Sequence, residues 1–234
     1  MPRLALTLAV FIVTAPTAHA QGADFNPRLL QHASDSMSIS LVRDGSAVPV
    51  GELWDSFTDV RSARGPALRR IYRTLNQAFG PHTETTMVRL PDLSLLSRRT
   101  YSQSTSDSIV ATGDSLLGWR DAGQGVRVRV ARRSEPNVIE GSFFDALIRG
   151  GPLSPTYAVQ VRAYLSVQDS IATLTARVTG SEAVRQHDGT MTDSWKVDMD
   201  FAGLSTTLWI AKKSRALVRQ VIRLTPTVQM LMAR

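Results

Sequence analysis

The chain has 234 residues, with 27 Lys and Arg against 20 Asp and Glu, and a formal net charge of +7. It contains no cysteine, which excludes disulfides and thiolate metal sites, so its stability must come from an apolar core. The basic residues are almost all Arg and are dispersed among acids, with little aromatic interleaving. This dispersion is typical of a solvated surface, and we expect no nucleic-acid partner.

The first twenty residues have the organisation of a signal peptide. Arg3 supplies a positive start, residues 4–13 form an apolar run, and residues 18–20 (Ala-His-Ala) form a small-x-small cleavage site. The apolar run is too short to span a bilayer, and no second long apolar run follows. We therefore expect cleavage after Ala20, export to the periplasm or out of the cell, and a soluble single domain over residues 21–234.

Alternation of apolar and polar residues indicates strands through the first half of the chain. Met37, Ile39 and Leu41 form the first such segment, and Asp44-Gly45 after them is a strong hairpin signal. Later strand-like segments cover residues 83–90, 94–102, 107–112, 116–120 and 126–130.

The segment at residues 66–79 is ambiguous. Leu68, Tyr72 and Leu75 fit one face of a helix, and Pro66 suits a first helical turn. Read as a strand, the same residues alternate poorly. The local pattern alone therefore favours a helix.

A short helix is predicted at residues 142–148. Ser142 is a suitable N-cap, and Gly150-Gly151 is a suitable stop. A helix of this length covers little of a large apolar face, since it rises only about 1.5 Å per residue.

Period-two alternation predicts a meander of antiparallel strands over residues 157–224. Trp195, Val197 and Met199, for example, alternate with charged residues. Hairpins are predicted at residues 188–189 (Asp-Gly) and 202–203 (Ala-Gly), and Gly180 is expected to break a strand.

A series of motifs in the C-terminal half resembles a known family. The motifs are Phe-Phe-Asp-x-Leu at 143–147, Gly-Pro-Leu at 151–153, Val-Thr-Gly-Ser-Glu at 178–182, Trp-Lys-Val at 195–197, Leu-Trp-Ile at 208–210 and Ser-Arg-Ala-Leu-Val-Arg-Gln at 214–220. In this order they resemble the bacterial exported family called domain of unknown function 3108. They are similar, more distantly, to the periplasmic curved-sheet proteins that sort outer-membrane lipoproteins.

The resemblance implies a mostly β fold: a single curved antiparallel sheet, or half-open barrel, with one short helix. It also implies that residues 66–79 form a strand, which we adopt over the local pattern. The related lipoprotein carriers hold acyl chains in their concave face, so the resemblance implies that class of ligand.

The predicted function is binding of a lipid or another amphiphile, without catalysis and without a cofactor. A bent sheet that does not close leaves an apolar concave surface, and one short helix cannot cover it. The candidate ligand-binding residues are Trp195, Trp209, Phe143, Phe144, Arg127 and Arg129. Aromatic residues in strands are more often part of the core, and the two arginines more often lie on the outer face of a strand whose valines face the core.

Two other functions are weighed against binding. Residues 113–116 (Gly-Asp-Ser-Leu) match the nucleophile block of GDSL esterases, which would make Ser115 the nucleophile. No His has an Asp three residues before it, however, and a Gly-Asp turn explains the motif without chemistry. A structural or assembly role, with an envelope protein bound at an exposed strand edge, is the other alternative. The isolated His residues predict no metal site.

Overall fold

The structure is a computed structural model that describes residues 25–30, 35–77, 80–103, 106–121 and 125–234. The predicted signal peptide and residue 79 lie outside these ranges. The described part is mostly strand, as the sequence predicts. The strands are β1 (Asp35–Arg43), β2 (Ser46–Ser62), β3 (Gly65–Asn76), β4 (Gly80–Arg89), β5 (Leu95–Ser102), β6 (Ser106–Thr112), β7 (Ser115–Asp121), β8 (Arg127–Arg133), β9 (Val138–Glu140), β10 (Ala158–Leu165), β11 (Ser170–Arg185), β12 (Met191–Phe201), β13 (Leu204–Ala211), β14 (Leu217–Arg223) and β15 (Val228–Ala233).

All of these strands belong to one sheet. Strands β1 to β8 pair in chain order, strands β10 to β15 pair in chain order, and β1 pairs with β15 to join the two series. Every pair is antiparallel except β9 and β10, which are parallel. The predicted antiparallel sheet is therefore confirmed, with one parallel pair at its edge. This pair is parallel because the chain between β9 and β10 crosses over through a helix and re-enters the sheet in the same direction.

The sheet curls until its two edge strands face each other. β8 and β9 are the two ends of the strand order, and only residues 134–137 separate them in the chain. Side chains span the gap: Arg132 of β8 donates to the backbone carbonyl of Asp169 at 2.8 Å, and Arg162 of β10 donates to Glu135 at 2.6 Å. The described ladders do not join β8 to β9, so the sheet is curled and open. This confirms the predicted half-open barrel.

The predicted short helix is present and lies inside the curl. A 3₁₀ turn at Gly141–Phe143 leads into α1 (Phe144–Arg149), and a separate 3₁₀ turn covers Pro27–Leu29. Ser142 does not cap the helix, contrary to expectation, because its hydroxyl is directed to the carboxylate of Glu140 at 3.5 Å. Phe143 and Phe144 are fully buried in the main core, against residues of both series of strands. The helix therefore fills part of the concave side of the sheet, which the sequence predicts to be mostly uncovered.

Residues 65–76 form strand β3, as the family resemblance implied and the local pattern did not. Leu68 and Arg70 are buried, and Tyr72 on the same side is largely so, while Arg69 and Leu75 are exposed. The strand alternates correctly, but a charged residue occupies an inward position and an apolar one an outward position. This inversion makes the pattern look helical.

The predicted hairpin turns are confirmed. Asp44 and Gly45 have φ values of 50° and 79°, and Ala202 and Gly203 have φ values of 53° and 89°. Both turns use two consecutive left-handed residues, which match the twist of the flanking strands. Gly180 does not break its strand: β11 continues to Arg185, with a bulge at residues 178–180. A β-bulge absorbs the glycine without ending the ladder.

Candidate binding cavity

The inside of the curl contains a cavity of about 300 Å³. It lies between β3, β4 and the start of α1 on one side and β12 to β15 on the other. The lining residues are Arg70, Tyr72, Glu84, Gly141, Ser142, Asp145, Met199, Phe201, Leu204, Thr206, Gln220, Ile222 and Met232. Leu204 is exposed, so the cavity reaches the surface at that end.

The wall formed by β12 to β15 is mainly apolar. Met199 and Phe201 are two apart on β12 and therefore share the inward face. The register of the sheet places Met199 beside Thr206 and Thr206 beside Ile222, which forms a row across three strands. Met232 of β15 extends this wall towards β1. The wall can therefore contact a hydrocarbon group.

The opposite wall is charged and is organised around Arg70. The guanidinium of Arg70 donates from Nε and Nη2 to Asp55, both at 2.8 Å, and from Nη1 and Nη2 to Asp145, at 2.8 and 3.2 Å. Nη1 also donates to the backbone carbonyl of Ser142. Burial lowers the pKa of Arg70, but the negative charges of Asp145 and Asp55 raise it well above the ordinary value. The side chain is thus a fixed cation that ties β2 and β3 to α1.

A second buried charge cluster lies beside the first. Arg98 of β5 contacts Glu84 at 3.0 Å, Asp107 at 3.3 Å and Glu140 at 3.7 Å. Thr86 donates to Glu84 at 2.8 Å, so this carboxylate, which also lines the cavity, is oriented by two partners. Burial raises the pKa of Glu140 to about 7, although Arg98 lowers it. Glu84 therefore connects the cavity to a carboxyl that titrates near neutral pH.

Arg149, at the end of α1, is a third buried cation. Its Nε donates to the carbonyl of Arg215 at 2.9 Å, and its Nη1 lies 3.9 Å from both Asp55 and Asp145. Burial lowers the pKa of Arg149, and the two carboxylates oppose that effect. Arg149 does not line the cavity.

The four aromatic residues predicted to bind a ligand lie outside the cavity lining. Phe143 and Phe144 are core residues. Trp195 is half-buried and packs against the main core, with the ammonium of Lys212 4.6 Å from its ring centroid. Trp209 is on the other face of the sheet, because the register pairs Trp195 with Ile210. The two tryptophans therefore do not form one groove.

The two predicted arginines are exposed on edge strand β8. The guanidinium of Arg127 lies 4.1 Å from the ring centroid of Trp119, and Arg129 faces solvent. Neither lines the cavity. A binding role for these six residues remains a prediction.

Ser115 lies at the start of β7, directly after a hairpin turn. Gly113 has a φ of 60°, and the Ser115 hydroxyl donates to Asp114 at 3.2 Å. Asp114 also accepts from Arg133 at 3.0 Å. His82 lies beside Ser102, where β4 begins and β5 ends, whereas Ser115 lies at the other end of the neighbouring strands. The geometry agrees with the turn interpretation of this motif.

Within the described ranges, no group of three or more His, Asp or Glu residues is arranged to hold a metal ion. In the same ranges, no helix is both long and apolar enough to cross a membrane.

Sequence reasoning missed the charged wall. Its members occupy inward positions of strands: Arg70 lies between Leu68 and Tyr72, and Glu84 lies two residues before Thr86. One signal was present, namely the poor alternation at residues 66–79. A charged residue at an inward strand position indicates a buried ion pair or a site.

Comparison with known proteins gives information on the fold. No family model matches the chain, and no curated protein matches it either. Among solved structures, it is similar to a beta-barrel-like protein of domain of unknown function DUF1849 from Brucella abortus. The TM-score is 0.52 at 10% sequence identity, and the match covers 87% of this chain and 96% of that chain. The likeness is one of fold. It supports a curved β-sheet fold for this chain, and membership of domain of unknown function 3108 stays a prediction.

Proposed function

We propose that this is an exported, non-catalytic protein that binds one amphiphilic molecule inside the curl of its sheet. The observation that carries the proposal is the cavity with an apolar wall, formed by Met199, Ile222 and Met232, opposite a charged wall around Arg70. Sites for small molecules combine a mainly apolar lining with a few placed polar groups, and this cavity has that composition.

The size of the cavity limits the ligand. A volume of about 300 Å³ corresponds to about ten water molecules at about 30 Å³ each. A single hydrocarbon chain of about ten carbons has a comparable volume, and any remainder can leave past the exposed Leu204. We therefore propose a ligand with one hydrocarbon chain in the cavity.

A filling substitution tests the cavity. Met199→Trp adds volume to the apolar wall, whereas Met191→Trp makes the same change on the same strand at a position that is 60% exposed. We expect the wild type and Met191→Trp to enhance the fluorescence of a hydrophobic dye, and Met199→Trp to bind it at least about tenfold more weakly. Ile222→Trp serves as a second filling variant if Met199→Trp does not fold. Equal dye binding by all folded variants would overturn the proposal, and so would a wild type that neither binds dye nor carries lipid from its own envelope in native mass spectrometry.

A further inference from the structure

The one cation in the described lining of the cavity is already fully used. A guanidinium has five N–H groups. Those of Arg70 make two hydrogen bonds to Asp55, two to Asp145 and one to the carbonyl of Ser142. Arg70 has therefore no N–H left for a carboxylate or phosphate that enters the cavity.

The two carboxylates in the lining retain capacity to accept hydrogen bonds. Each oxygen of Asp145 accepts one hydrogen bond from Arg70. In Glu84, Oε1 accepts from Thr86 and Oε2 faces Arg98 at 3.0 Å. Because each carboxylate oxygen offers about two lone-pair sites, both side chains can accept a further hydrogen bond from a ligand.

The charge balance around the cavity points in the same direction. Arg70, Arg98, Arg149 and half-buried Arg120 balance four acids, namely Asp55, Glu84, Asp107 and the largely buried Asp145. The fifth acid, Glu140, carries part of a negative charge at pH 7, because burial raises its pKa to about 7. A bound cation offsets this residual negative charge and a bound anion adds to it.

An aromatic ring is also available to a cation. Phe201 lines the cavity from the apolar wall, whereas the ring of Tyr72 on the other wall already has the guanidinium of Arg70 5.4 Å from its centroid. The face of an aromatic ring attracts ammonium and guanidinium groups, most strongly where water is excluded.

We infer that the ligand is a cationic amphiphile, such as a long-chain amine or alkylammonium compound. Its charged end contacts Glu84 and Asp145, and its chain lies along Met199 and Ile222. This inference rests on the proposed function, because it names the chemical class of the ligand for the same cavity.

The test compares polar ends at a constant chain length. Decylamine, decanol and decanoate are titrated below their micelle-forming concentrations against protein loaded with the hydrophobic dye, and dye displacement is measured at pH 7. We expect protonated decylamine to displace the dye at a concentration at least about tenfold lower than decanol or decanoate, since charge-assisted hydrogen bonds are about twice as strong as neutral ones.

A matched pair of variants locates the effect. Glu84→Gln removes the charge in the cavity, and Glu52→Gln makes the same change at an exposed position on β2. We expect Glu84→Gln to lose most of the preference for decylamine over decanol, and Glu52→Gln to keep it. If Glu84→Gln does not fold, the comparison of the three ligands on the wild type still decides the question.

The outcomes separate the two proposals. If none of the three ligands displaces the dye, the binding function itself fails. If decanol or decanoate binds as tightly as decylamine, the cavity binds amphiphiles but the inference of a cationic ligand is wrong. If the preference survives in Glu84→Gln, the site assigned to the charged end is wrong.

Discussion

Replacing Arg70 with Met is expected to destabilise the protein by about 3–5 kcal/mol, the usual cost of removing one partner from a buried ion pair. The side chain of Arg70 is 8% exposed, and those of its partners Asp55 and Asp145 are 10% and 14% exposed. Surface ion pairs contribute at most about 1 kcal/mol, but that rule does not apply to groups this deeply buried. The loss arises because the two carboxylates remain inside the curl without their hydrogen-bonded cation, while the Nη1 of Arg149 is 3.9 Å from each of them.

The measurement is urea unfolding followed by tryptophan fluorescence, at pH 8 and at pH 5. The loss is expected to be smaller at pH 5, because burial favours the protonated form of a carboxyl that has lost its partner. Arg69→Met is the control, since Arg69 is exposed on the same strand and its replacement should change stability by no more than about 0.5 kcal/mol. An Arg70→Met variant as stable as the control would refute the account of the charged wall.

Three further predictions concern other parts of the molecule. The pKa of Glu140 rises from 4.5 to about 7 on folding, so its contribution to the free energy of unfolding should fall by about 3 kcal/mol as the pH increases from 4.5 to above 7. Denaturant titrations across that range should show this component in the wild type, and the Glu140→Gln variant should lack it. Gly118→Ala should destabilise the protein by about 3 kcal/mol or more, because the added Cβ would lie 2.0 Å from a carbonyl oxygen of β6 and the φ of Gly118 is 155°. Gly180→Ala is the control: a Cβ there meets nothing within 4 Å, so its thermal unfolding midpoint should change little. Trp209→Phe should lower stability by about 1–3 kcal/mol without altering dye binding, because this ring packs on the outer face of the sheet; a variant that keeps full stability but loses dye binding would contradict that placement.

Much of the fold follows from local sequence. The hairpin at Asp44-Gly45 and the turn at Ala202-Gly203 form as predicted, because residues that tolerate left-handed φ sit between alternating segments. Strand β3 was harder, since the inward position of Arg70 depends on Asp55 and Asp145, which lie 15 and 75 residues away. The parallel pairing of β9 has no local signal either, because three residues are too few to show a pattern.

The candidate cavity could not be predicted from the sequence in the same way. The sequence prediction of the site relies on aromatic residues because they are large and apolar, but those properties also place Phe143 and Phe144 in the core. The sequence prediction groups Trp195 with Trp209, but the register of the hairpin pairs Trp195 with Ile210, so the two tryptophans lie on opposite faces of the sheet. Glu84 was missed because a single acid on a strand is normally solvated, and its burial follows from the distant Arg98.

The pairing of the first strand with the last has a consequence for how the chain folds. Each of the other ladders links strands that are neighbours along the described chain, but β1 and β15 meet across almost its entire length; the hydroxyl of Ser38 donates to the carbonyl of Ala233, 195 residues away, at 3.0 Å. Closing so large a loop costs more entropy than forming hairpins, and distant contacts slow folding. We therefore expect the hairpins within residues 35–133 and within residues 158–223 to form first, and β1 to pair with β15 last.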